Sequence, residues 1–371
     1  MRTSFFYIII ALLFVSCAKH RTDETASTMD YAQGLTITRM DKYTRVDVAD
    51  PWNAGKLLQT YLLVPRDSTL PDNLPQGVVV RTPLRRALVY SDVHARAIRD
   101  LGKIGSVGSV CDAEYFKTPE IVDGLRTGRI VDCGSTMSPT VERIAGCSPD
   151  AVLLSPFQNA GYGALDNLGI PIIALADYME STPLGRAEWI KFVGLLFDRE
   201  TAADSIFDSV AARYTALREQ LAKAKQQPKV LTEYVISGVW YVPGGKSYKA
   251  TLLADAGANY PWSDDNTTGS LSLDFARVLD RAADADYWLV TTIGDELTLD
   301  SFLGLYPHND RFEAFRKRNV YYANTLVSTV FEETPFHPDL LLQEYAKIFH
   351  PEMFPDYQLR YFRRINTAKN E

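Results

Sequence analysis

RETAADSIFDSVAARYTALREQLAKAK, residues 199–225, decides how the rest of the chain is read. Its apolar residues Ala203, Ile206, Phe207, Val210, Tyr214, Leu217 and Leu221 recur at three-four spacing, the pattern of a helix with one buried stripe. Glu200 and Asp204 near its start, and Lys223 and Lys225 near its end, suit the helix dipole. A helix of this length spans about 40 Å at about 1.5 Å per residue, the width of a domain. Blocks that alternate strand-like and helix-like patterns lie on both sides of it. The stretch is expected to be a rigid strut between two α/β lobes; the alternative is an amphipathic surface helix inside one domain.

The 371 residues leave room for two domains, and a net charge of −7 argues against nucleic acid as a partner. Beyond the N-terminus no apolar run reaches the ~20 residues of a membrane span. Residues 1–17 read as a signal peptide, with Arg2 ahead of a short apolar core from Phe5 to Val15. Phe14-Val15-Ser16-Cys17 resembles a bacterial lipobox, with Phe14 where leucine is usual. It marks Cys17 as the lipidated first residue of a protein anchored on the periplasmic side of a bacterial membrane, whereas a plain signal peptide would make this cysteine incidental. Several acyl chains on one cysteine anchor durably where a single chain does not. Of the remaining cysteines, Cys111 and Cys133 each close a strand-like run, and Cys147 leaves their number odd. A Cys111–Cys133 bridge and a set of buried thiols both fit the spacing.

The expected order is a tether and first strand at 18–58, an N-terminal α/β lobe at 59–198, the inter-lobe helix at 199–226 and a C-terminal α/β lobe with a terminal helix at 227–371. TYLLVP (60–65) and GVVVRT (77–82) read as a β-hairpin beside the first lobe. In that lobe strands are expected at 86–90, 104–110, 129–132, 151–154 and 170–175, with helices at 94–101, 140–145 and 183–197 between or after them. The second lobe repeats the pattern, with strands at 229–234, 287–291 and 320–323 and helices at 250–256, 311–318 and 338–349. Alternation of this kind predicts parallel sheets wound through βα units, so the fold class is α/β: two Rossmann-like lobes joined by one long rigid helix.

In open α/β sheets ligands bind beyond the carboxyl ends of the strands. In the first lobe that rule selects Ser91, Asp92 and His94, then Asp112 to Phe116 with Tyr115 among them, then Phe157, Gln158, Asn159 and Tyr162. In the second it selects Trp240, Tyr241, Gly244, Gly245 and Lys246, then Tyr260, Trp262, Ser263 and Asp264, and finally Phe331 to His337. Aromatic residues in polar, Gly-rich stretches suit the walls of a site for a large flat ligand, with Lys246 at a negative edge. The alternative is that these rings pack internally. His94 and His337 are the two histidines placed to meet a metal centre of a ligand. The few usable histidines disfavour a site for bare zinc or manganese, and no metal site of the protein's own is expected.

The segments RRALVYS, AIRDLGKIGSVGSV, SPTVERIAGCSPDAVLLSP and LDNLGIPIIAL, followed by the long helix and a second lobe ending in a helix, resemble the class III, helical-hinge binding proteins of ABC transporters. The resemblance covers about 84–349. It implies a monomeric receptor that holds an iron complex such as a ferric siderophore or haem, or cobalamin, between its lobes and delivers it to an inner-membrane permease. It also implies permease docking through one acid on each lobe: Glu142 matches the first position, and Asp274 stands where the family usually has glutamate. The metal complex would be cargo rather than a cofactor. No GxSxG, HExxH or CxxC motif supports an enzyme. A scavenging lipoprotein or a chelatase on the same scaffold are the readings from other classes.

Overall fold

The computed structural model describes residues 25–27, 29–158 and 161–366. The signal peptide, Cys17 and Asn159 lie outside these residues. The strut is a helix from Glu200 to Leu221, about 33 Å long at 1.5 Å per residue. One stripe of it is buried, and the stripe divides between two cores. Ala203, Phe207 and Val210 pack into the core of the first lobe, whereas Tyr214, Leu217 and Leu221 pack into that of the second. Ile206, expected within the stripe, is only partly buried against the first core. Helix Ile190–Leu196 supports the first half and helix Pro338–Phe349 the second. Arg213 Nε donates to Asp339 at 2.6 Å, and the Tyr214 hydroxyl to Asp255 at 2.6 Å, fixing the second half further.

The first-lobe sheet has five parallel strands in the spatial order Ile172–Ala174, Ala151–Leu154, Ala87–Val89, Val107–Val110 and Val131–Asp132. The order reverses between Ala87–Val89 and Ala151–Leu154, which puts a crevice beyond their carboxyl ends. In the second lobe Val230–Thr232, Tyr287–Thr292 and Val320–Asn324 run parallel, and Arg363–Arg364 adds an antiparallel edge. This lobe also carries an antiparallel sheet of Val235–Ile236, Val239–Pro243 and Ser270–Leu273, so Trp240 and Tyr241 lie on a strand rather than beyond a strand end.

Further expectations change. Ahead of the first lobe lies a five-stranded sheet, Thr25–Ser27, Leu35–Arg39, Thr44–Ala49, Leu57–Pro65 and Val78–Thr82. Its last two strands are parallel, not a hairpin, because the connection 66–77 is long enough to cross back before pairing. A boundary at residue 58 falls inside one of its strands. The helix expected at 183–197 is two, Pro183–Glu188 and Ile190–Leu196, meeting at Trp189. Two acids of this region staple the N-terminal sheet to the lobe. Glu188 accepts the backbone N–H groups of Asp30, Tyr31 and Ala32 at 2.8–3.1 Å, and Glu180 accepts those of Gln33 and Gly34 and the Trp189 indole. Cys111, Cys133 and Cys147 are free buried thiols in a small apolar cluster, which decides against the Cys111–Cys133 bridge. Burial pushes both Cys111 and Cys133 up to about 12.

Candidate ligand-binding cleft

The carboxyl ends of both parallel sheets face the seam between the lobes, and three adjoining hollows run along it. The first, of about 590 Å³, lies between Tyr178, Met179 and Arg186 of the first lobe and Tyr234, Tyr241 and Lys249 of the second. The second, of about 320 Å³, shares Arg186, Tyr248 and Lys249 with the first and continues over Leu252, Val330 and Phe331. The third, of about 220 Å³, shares Val93 and Phe331 with the second and ends among Ser91, Asp112 and Tyr115. Shared walls make them one trough with residues of both lobes throughout. A larger hollow of about 830 Å³ lies on the N-terminal sheet near Arg39, Arg66 and Glu200. It has no second-lobe wall, so the seam is the better candidate site.

A triad centred on a buried carboxylate underlies the trough. Asp177, two residues beyond the start of the loop after Ile172–Ala174, accepts from His94 Nε2 at 3.0 Å and from Arg186 Nε at 3.0 Å. Burial pushes its carboxyl up, but the His94 hydrogen bond and the Arg186 charge outweigh that and hold it below the ordinary 3.8. Arg186 in turn lies over the ring of Tyr248 in the second lobe, 5.5 Å from its centre. Glu233, directly after strand Val230–Thr232, pairs with Lys249 across the same wall. Its backbone is left-handed, with φ of 60°, a conformation a non-glycine residue rarely adopts.

The lobes are tied along one flank. Lys117 Nζ donates to Ser328 O at 2.9 Å, to Glu332 Oε1 at 2.8 Å and to Thr325 O. Arg96 pairs with Glu333 at 2.6 Å, and His337 Nε2 with Asp100 at 2.9 Å. Glu333 also receives Arg360 and the Tyr361 hydroxyl, at 2.6 and 2.7 Å.

Of the residues expected in the site, the structure brings Ser91, Tyr115, Tyr241 and Phe331 to the trough wall. Phe157 is exposed beyond strand Ala151–Leu154 but outside the three hollows, and Tyr162 packs half-buried against the cysteine cluster. Trp240 must be corrected. It points inward from an antiparallel strand, stacks on Trp288 at 5.5 Å and donates its indole N–H to Thr232 O at 2.9 Å. Strand alternation puts Tyr241, its neighbour, outward. Trp262 and Tyr260 are likewise core residues, 5.6 Å apart. A Cβ on Gly244 or Gly245 would lie 2.3–2.4 Å from backbone oxygens of Thr267 and Asp265, so these glycines serve a close backbone approach that draws Trp262 inside. Lys246 is exposed outside the hollows, and His337 serves the inter-lobe tie. His94 is buried against Asp177 rather than open to a ligand. Glu142 is exposed in the first turn of helix Val141–Cys147, while Asp274 caps helix Phe275–Ala282 by accepting Arg277 N at 2.9 Å.

Sequence reasoning missed Tyr178, Arg186, Tyr234, Tyr248 and Lys249. Tyr178, Arg186, Tyr248 and Lys249 sit in segments read as helix or as the approach to one. A usable signal was Arg186, one of only three charged residues, with Glu188 and Lys191, in the mostly apolar Pro183–Phe197 block.

Two α/β lobes, one helix shared by both cores and a trough along the sheet ends define a two-lobed solute-binding protein. Residues 108–325 match the periplasmic binding protein family, and the chain belongs to it. An uncharacterized lipoprotein of Methanocaldococcus jannaschii is 27% identical over 369 residues, covering 92% of this chain and 86% of that one. Another from the same organism is 26% identical over 320 residues, covering 82% and 80%. Among solved structures, a possible iron-binding periplasmic solute-binding protein from Staphylococcus epidermidis superposes with a TM-score of 0.58 at 15% identity, covering 72% of this chain and 100% of its own. An ABC-type Fe3+-hydroxamate transport protein from Saccharomonospora viridis gives 0.57 at 21% identity, covering 72% and 94%. The periplasmic haem-binding protein of Vibrio cholerae gives 0.56 at 18% identity, covering 73% and 99%. These likenesses establish the fold.

Proposed function

We infer that this chain is a lipid-anchored receptor of an ABC importer, which captures an iron complex (a ferric siderophore or haem) between its lobes and passes it to the permease. The observation that carries this reading is the continuous inter-lobe trough walled by Tyr115, Tyr178, Tyr234, Tyr241, Tyr248 and Phe331. Such a surface suits a large, partly apolar complex, with Arg186 and Lys249 beside it to meet anionic edges. The iron- and haem-binding proteins among the superposed structures support the same choice of cargo. Anchoring rests on Cys17 and agrees with relatives described as lipoproteins. Permease docking is assigned to Glu142 and Asp274, one helix start on each lobe.

The test is a titration of the chain from Ala18 onward with haem, cobalamin and a panel of ferric siderophores, read by tryptophan quenching and ligand absorbance. One class is expected to bind saturably. Phe331→Ala or Tyr241→Ala is expected to weaken it about tenfold, equivalent to about 1.4 kcal/mol. Silence across the panel in a folded protein overturns the iron-complex reading.

A further inference from the structure

The middle hollow of the trough, of about 320 Å³, has room for roughly ten waters at about 30 Å³ each. Much of its wall is apolar, from Leu252, Val330, Phe331, Leu341 and Phe362 of the second lobe. Two charged residues line it, Arg186 from the first lobe and Lys249 from the second, and both are cations. No aspartate or glutamate stands among its described lining residues. The acids that pair with these cations lie elsewhere. Asp177 is buried behind Arg186, and Glu233 meets Lys249 on the wall of the neighbouring hollow.

The donors on this wall are incompletely used. A guanidinium has five N–H groups, and only Nε of Arg186 is spent on Asp177 Oδ2, at 3.0 Å. Among the described residues Nη1 and Nη2 have no hydrogen-bond partner, and neither is buried, so both are accessible where Arg186 walls the trough. The hydroxyls of Tyr248 and Tyr345 are in the same state: each belongs to this lining, lacks a partner among the described residues and keeps accessible surface. Burial pushes the Tyr248 phenol up to about 12, so it stays protonated and able to donate. Arg186 is also held in position from two sides. Asp177 behind it accepts from His94 Nε2 at 3.0 Å, and the Tyr248 ring centre lies 5.5 Å from the guanidinium. A guanidinium only donates, so the group that completes it must accept, and a carboxylate fits its fork through two parallel bonds. The apolar remainder of the wall suits an acid carried on an apolar arm.

We propose that the middle hollow is a subsite for a carboxylate borne on an apolar arm of the transported solute. The carboxylate takes the free Nη1 and Nη2 of Arg186 and the Tyr248 hydroxyl, with Lys249 beside it, while the arm lies against Leu252, Phe331 and Leu341. Because Arg186 belongs to one lobe and Tyr248 and Lys249 to the other, the anion bridges the seam and favours the joined lobes. The assignment rests on the solute-receptor reading but not on the iron in the cargo.

The experiment is calorimetric titration of the full-length chain with sodium phenylacetate, phenylacetamide and sodium acetate. Phenylacetate is expected to bind saturably and at least about tenfold more tightly than either control, the amide lacking the charge and acetate the arm. Arg186→Gln is expected to weaken it about tenfold or more, and Tyr248→Phe, which keeps the ring beside the guanidinium, about threefold or more. Each variant is checked for an unchanged circular dichroism spectrum; Tyr248→Phe breaks no ion pair and so tests the site even if Arg186→Gln does not fold. No saturable heat with phenylacetate in the folded protein overturns the proposal. So does equal binding of the amide, or affinity unchanged in the folded variants. The iron-complex panel is run on the same preparations. Phenylacetate binding with a silent panel keeps the subsite and removes the iron-complex reading, whereas iron-complex binding without phenylacetate binding does the reverse.

Discussion

Replacing Asp177 by asparagine keeps the shape of the side chain and removes the charge at the centre of the triad beneath the trough. Arg186, whose side chain is 19% exposed, then loses its carboxylate and keeps the Tyr248 ring 5.5 Å away. Removing one partner of a buried ion pair costs about 3–5 kcal/mol, and the acceptor retained by asparagine argues for the lower end, about 3 kcal/mol. At about 2–4 °C per kcal/mol for a unit the size of one lobe, Tm is expected to fall by about 6–12 °C. The pH dependence follows from the lowered pKa of Asp177. A carboxyl held below its ordinary 3.8 contributes stability that is present above that value and is lost as pH falls through the folded-state pKa. Thermal melts of both proteins at pH 7, and at the lowest pH at which both remain folded, are expected to show the gap narrowing in acid. A gap under about 1 kcal/mol at pH 7, below the range for a broken buried pair, would refute the reasoning. So would a gap that persists undiminished below pH 3.8.

Adjacent residues on one strand provide a second test. Trp240→Ala is expected to destabilise by about 3–5 kcal/mol in urea melts, as a large core truncation, whereas Tyr241→Ala should leave the melt within about 0.5 kcal/mol and act on ligand affinity instead. Glu188→Gln weakens the staple on residues 30–32 and should cost about 1.5–3 kcal/mol, with faster amide exchange in that segment as the local readout. The buried thiols Cys111 and Cys133, both pushed up to about 12, should resist a disulfide reagent at pH 8 in the native protein and react once it is unfolded. Rapid labelling of both in the native state would contradict their burial.

The long helix was legible because its length and three-four stripe have one stable solution, and the structure confirms the stripe from Ala203 to Leu221. Strand Ala151–Leu154 and helix Pro338–Phe349 were legible for the same reason: each is a short-period apolar pattern bounded by turn or cap residues. Strands Leu57–Pro65 and Val78–Thr82 were also legible, but their direction was not, since local sequence does not say where residues 66–77 travel. The site divides similarly. The rule that ligands lie beyond strand ends found Ser91, Tyr115 and Phe331, each set by position along the chain. It could not find Arg186 or Tyr248, which reach the seam from helices.

By itself the sequence determined what depends on neighbours in the chain: periodicity, the shared helix, two α/β blocks and the order of their elements. Whether Trp240 or Tyr241 faces the seam, and whether His94 is free, depended on contacts between distant segments. Trp288 lies 5.5 Å from Trp240, and Asp177 lies 3.0 Å from His94. A tryptophan in a polar, Gly-rich stretch looks available until the glycines are seen to admit a second backbone strand beside it. Burial is a property of the packed chain, so the tertiary structure decided which of the sequence's aromatic and charged residues form the core and which form the trough.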